Sequence, residues 1–145
     1  VASVLASGNI VFGTAETDAV ALEAQIQAAL NGDLGIPGQT IVRTREQLQR
    51  LWASDPFAGL THQRGTYLTA TFIKDGDPPL PLPTSDSELF RVVGYDADAR
   101  AVLAVTDNSI PGTTPDFMTW LEQACSKNIT TRTWLTIQRV LTKFP

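Results

Sequence analysis

The chain reads as an α+β domain in which one mixed sheet is covered by helices. Three observations predict this. Leu68, Ala70 and Phe72 alternate with Tyr67, Thr69, Thr71 and Ile73, the period of a strand. Leu22, Ile26, Ala29 and Leu30 recur at the period of a helix face. The 145 residues are 43% hydrophobic and 18% charged, which suits one packed body rather than a disordered or fibrous chain. The elements follow in the order β-α-β-α-β-β-β-α-α.

The first strand spans Val1 to Phe12, with Ser7-Gly8-Asn9 interrupting it and Gly8 suggesting a bulge or a close backbone approach. A helix follows from about Asp18 to Asn31, capped by Thr17 or Asp18 and ended by Gly32. Thr40-Ile41-Val42-Arg43 reads as the second strand. Thr44 and Gln47 then have the spacing of a capping box. The helix they open puts Leu48, Leu51 and Trp52 on one face, and Pro56 stops it. A loop holding His62 leads to the strand Thr66–Lys74.

The proline-rich run from Gly76 to Pro83 lacks the amides a sheet interior needs and reads as an extended surface connection. Glu88–Tyr95 and Arg100–Thr106 form a hairpin turned through Asp96-Ala97-Asp98-Ala99. Thr114 and Pro115 open the next helix, whose core face carries Phe117, Trp120, Leu121, Ala124 and Cys125. The last helix begins near Thr131, with Ile137, Val140, Leu141 and Phe144 inward. A single domain, 1–145, is expected. Lobe boundaries are conceivable only near 55–65 or 76–84, and each lobe would be small for independent folding.

Much reactive chemistry is missing from the sequence. There is no G-x-S-x-G elbow and no phosphate-binding glycine loop. The one histidine, His62, is expected at the surface. The one cysteine, Cys125, is expected among apolar neighbours, where a thiolate is disfavoured. Neither Asp75-Gly76-Asp77 nor Asp96-Ala97-Asp98 continues into a calcium loop. We therefore expect no catalytic residue, no metal and no cofactor. A formal charge of −4 argues against a general nucleic-acid binder, although Lys127, Arg132, Arg139 and Lys143 cluster late in the chain. No apolar run is long enough for a membrane helix, and the lone cysteine suits a reducing cytoplasm.

One constellation survives. Thr130, Thr131 and Arg132 lie where the last helix is expected to begin, a place where free amides and the dipole favour an anion. Trp134 would wall the site. On the bland reading a threonine merely caps the helix and Trp134 packs. Ser7 and Asn9, polar residues in an apolar strand, either orient the backbone or face a ligand.

Ser7-Gly8-Asn9-Ile10-Val11-Phe12 is similar to the S-G-N-V-[VI]-F strand of the family called domain of unknown function 1697, small and mostly bacterial proteins. Trp52-Ala53-Ser54-Asp55-Pro56-Phe57, Thr69-Ala70-Thr71-Phe72 and Glu88–Val93 resemble later blocks. Thr130 to Ile137 resembles the family's T-T-R-N-W-N-T-V, with Thr133 and Leu135 where the family usually has Asn. The resemblance implies an α+β fold with ferredoxin-like units and no established activity. It also implies a strand and a helix before Val1, so the chain reads as lacking them. The expected function is a non-catalytic cytoplasmic module that binds an anionic small molecule or pairs as a homodimer. The alternatives are an enzyme using Asn9, Thr131 and Arg132, or a nucleic-acid binder using the basic C-terminal segment.

Overall fold

The computed structural model describes residues 2–4, 8–74, 76–78, 82, 90–107, 116–125 and 128–144. Strands β1 (Ala2–Val4) and β2 (Asn9–Val11) pair antiparallel, Ala2 opposite Val11 and Val4 opposite Asn9. The opening run is thus a hairpin and not one bulged strand. Gly8 stands before β2 with φ +83°, a left-handed conformation that glycine adopts without the penalty a Cβ brings.

Helix α1 (Ala19–Ala28) starts where Asp18 Oδ1 accepts from the amides of Val20 at 3.0 Å and Ala21 at 3.3 Å. It does not stop at Gly32, because a π turn carries it through Asp33. Residues 40–43, read as a strand, join no sheet. Their amides are taken by α1 side chains: Thr40 N donates to Gln27 Oε1 at 3.3 Å and Val42 N to Glu23 Oε1 at 2.9 Å. With the amides satisfied there, no ladder is needed. Helix α2 (Arg45–Ala53) opens on the expected capping box of Thr44 and Gln47.

Strands β3 (Tyr67–Ile73), β4 (Phe90–Asp96) and β5 (Ala101–Thr106) match the sequence reading closely. Helix α3 (Asp116–Ala124) follows; its capping residues, and the faces of residues 116–118, lie outside the description. The sequence reading contained no strand between the last two helices. The structure has one, β6 (Ile129–Thr133), which runs directly into α4 (Trp134–Lys143). The last helix therefore starts three residues later than expected, and Thr130, Thr131 and Arg132 are strand residues. The physical reason is pairing: β6 lies along β3 with Thr69 opposite Thr133, Thr71 opposite Thr131 and Ile73 opposite Ile129. Three of its residues are β-branched threonines, which fit a pleated surface better than a helix turn.

The four-stranded sheet has the order β4-β5-β3-β6, and each pair is antiparallel, not mixed as expected. Period two in β3 and β5 gives it two apolar faces. Leu68, Ala70, Phe72, Ala101 and Leu103 meet Leu48 and Leu51 of α2, Phe57, and Ile137 of α4. Ile73, Val102 and Ala104 meet Leu121 of α3 on the other side. The result is an α+β body with the sheet between helices. The terminal hairpin lies against α4. Most of the proline-rich run falls outside the described residues.

Candidate functional site

A cleft of about 740 Å³ opens between α1, the β2 strand, the 39–43 segment, β6 and α4. Its shape follows from a conflict in α1. Leu22, Ile26 and Leu30 point into the cleft, yet the same helix buries a carboxylate, Glu23, which is 2% exposed. The helix is attached to the body chiefly through polar pins. Glu23 Oε1 lies 3.6 Å from Arg43 Nη1 and accepts from the Val42 amide. Gln27 Oε1 accepts from Thr40 N and, at 2.5 Å, from Lys74 Nζ.

Arg43 is the centre of this network. Nε donates to Ala99 O at 2.5 Å, Nη1 to Val42 O at 2.7 Å, and Nη2 to Ile73 O. Its Cζ also lies 5.8 Å from the centre of the Phe72 ring. One guanidinium thus joins the 39–43 segment, the β4–β5 turn and the end of β3. Sequence reasoning missed both Glu23 and Arg43. A signal did exist: Glu23 stands on the apolar face between Leu22 and Ile26, and a carboxylate there requires a buried partner.

The structure sorts the residues expected to bind. Strand alternation sends Thr130 and Arg132 toward the cleft and Thr131 to the opposite face, where its Oγ1 meets Thr71 Oγ1 at 2.9 Å. Arg132 Nε donates to Asn9 Oδ1 at 2.7 Å, and Nη1 to Thr130 Oγ1 at 2.6 Å and Thr131 O at 2.9 Å. Asn9, Thr130 and Arg132 therefore converge at the cleft wall. Burial pulls the Arg132 pKa down from its ordinary value, but a guanidinium keeps its charge. Ser7 lies outside the described residues.

Trp134 is not a wall of the cleft. It stacks on Trp52 with ring centres 4.9 Å apart and meets the Phe57 ring edge-on. The tip of α4 is closed by its own cap, Thr133 Oγ1 accepting from Thr136 N at 3.2 Å. His62, expected at the surface, is half-buried. Its Nδ1 accepts from the Leu68 amide at 3.0 Å and its ring packs on Tyr67. Burial lowers its pKa, and an unprotonated Nδ1 is what the Leu68 amide requires. Cys125 is half-buried, and burial raises its pKa. Among the described residues, no group of His, Cys, Asp and Glu side chains is placed to hold a metal, and no helix is long and apolar enough to cross a membrane.

Sheet, helices and cleft define an α+β protein with an apolar-walled recess edged by an anchored arginine. The family model for a protein of unknown function, DUF1697, matches residues 1–94, and the chain belongs to that family. No curated protein and no solved structure matches it. The Arg132 strand lies beyond the matched residues, so that part of the site rests on the geometry.

Proposed function

We propose that this DUF1697 protein is a non-catalytic binding module for an anionic small molecule, held by Arg132, Thr130 and Asn9. The observation that carries the reading is a part-buried guanidinium fixed in an apolar-walled cleft, with oxygens of Asn9, Thr130 and Thr131 setting its plane. A guanidinium held this way suits carboxylate or phosphate, and water exclusion strengthens the attraction. The anion sits beside the strand and not at the helix tip, whose first-turn amide Thr133 already caps.

The strand order, with β3 between β5 and β6, supports a ferredoxin-like arrangement. A cytoplasmic setting and self-association through an outer strand, β4 or β6, complete the proposal. Calorimetry with phosphate, acetate and butanoate tests it. The wild type should release heat of binding with at least one of them, and Arg132→Gln should bind at least tenfold more weakly. No binding of any anion by the wild type, or equal binding by the variant, overturns the reading.

A further inference from the structure

We infer that the cleft is a slot for one added strand: an extended peptide segment of a partner protein pairs with the outer edge of β6 and lays alternate apolar side chains into the recess. The groups that hold it are main-chain N–H and C=O, so the Arg132 charge plays no part and the anion reading is not needed.

The ladder fixes where those groups point. The Lys74 amide donates to Asn128 O at 2.9 Å, and the register sets Phe72 opposite Thr130 and Thr71 opposite Thr131. Hydrogen-bonded pairs alternate along an antiparallel ladder. The main-chain groups of Thr130 and Arg132 therefore turn to β3, while those of Ile129 and Thr131 turn outward. Among the described residues β6 pairs with no strand but β3. Ile129 shows what the outer edge borders: its side chain packs with the cluster around Leu121 on the far face of the sheet, yet it lines the cleft.

The opposite wall is also a strand edge. Consecutive residues from Gly8 to Phe12 line the cleft, which one pleated face does not allow, and β1 occupies the other edge of β2. Asn9 and Arg132 meet across the gap at 2.7 Å. A strand needs about 9–10 Å between its two neighbours, a gap that an asparagine and an arginine side chain together bridge. A segment there would join the β1–β2 hairpin to the main sheet. Its side chains on the Thr130 face would meet Ile26, Val140 and Phe144, and those between would lie beside the exposed Thr131. Such a slot asks for an apolar residue at every second position. A folded second copy carries α4 directly behind its β6 and does not fit the gap. The other outer strand, β4, has a bulge between Val92 and Gly94, which discourages pairing.

The probe is a capped peptide of alternating valine and threonine with a lysine at each end, labelled with fluorescein and kept below its own aggregation concentration. Titrated with the intact protein, its anisotropy should rise to a plateau. The Ile129 and Thr131 amides should exchange more slowly when it is bound. The same peptide with its main-chain nitrogens methylated keeps the side chains, loses the donors and should bind at least tenfold more weakly. Thr131→Pro removes an outward amide and should weaken the parent peptide as much; the methylated peptide decides the matter if that variant does not fold. No binding of the parent peptide, equal binding of the methylated one, or slowed exchange that spares β6 overturns the inference. So does a wild-type dimer in sedimentation that Thr131→Pro turns into a monomer, because β6 is then paired with its copy.

Discussion

Arg43→Met is the perturbation that most directly tests how this body is held together. Two of its Arg–carboxylate pairs invite opposite guesses. Arg50 and Asp98 are well formed, with Nε to Oδ2 at 2.7 Å and Nη2 to Oδ1 at 3.1 Å, but their side chains are 61% and 45% exposed. Arg43 and Glu23 approach only to 3.6 Å, but are 5% and 3% exposed. Burial outweighs distance. Removing the Arg43 guanidinium strands the Glu23 carboxylate and leaves the carbonyls of Val42, Ile73 and Ala99 without this donor. Removing one member of a buried pair costs about 3–5 kcal/mol, or about 10–15 °C in Tm for a chain of this size. Asp98→Asn should shift the urea midpoint by no more than the scatter of replicates, since water takes over both partners. Equilibrium urea unfolding followed by tryptophan fluorescence measures both, with an unchanged slope showing that stability alone moved. The double variant Glu23→Leu/Arg43→Met should recover part of the loss, because no charge is left buried. An Arg43→Met loss below about 1 kcal/mol, or a double variant equal to the sum of the singles, would refute the reasoning.

His62 gives a pH prediction. Its folded pKa lies below the ordinary 6.5, so in the window just under 6.5 the unfolded chain binds the extra proton and stability must fall as pH is lowered. The decline from this group ends once pH drops below the folded pKa. His62→Gln should lessen the difference in urea midpoint between pH 7.5 and pH 5.5. As the only histidine, its ring protons in an NMR titration should show a midpoint below 6.5; a midpoint at or above 6.5 contradicts the assignment. Thr44→Ala should cost about 1 kcal/mol, since it removes the acceptor for the Gln47 amide 3.1 Å away. Thr44→Ser should retain most of that stability in the same unfolding assay, and an equal loss in both would deny the cap its role.

Local signals were easy to read in this chain. The capping box at Thr44 and Gln47 is a contact between residues three apart, so its spacing is its evidence. The β3 alternation and the β4–β5 hairpin are likewise short-range patterns with one geometric solution. Thr130 to Thr133 misled because a threonine-rich polar run before an amphipathic helix is also what a helix cap looks like. Residues 40–43 misled the other way: β-branched Thr40, Ile41 and Val42 suit a strand, but Glu23 and Gln27 reached their amides first. For the site, Asn9, Thr130 and Arg132 were named from the sequence and do converge. Thr131 and Trp134 were named with them and point elsewhere, one across the sheet to Thr71 and the other onto Trp52.

Alone, the amino-acid order determined that the protein would be α+β, where α1 and α2 would be capped, and which residues of β3 would share a face. Those outcomes depend on neighbours within a turn or on a period of two. Tertiary structure decided that residues 129–133 extend along β3, which sends Arg132 to one face and Thr131 to the other. It also decided that Arg43 and Glu23 are sealed in together. Such outcomes depend on what stands opposite a residue distant in the chain, and the free energy of a strand pair or a buried charge is set by that partner.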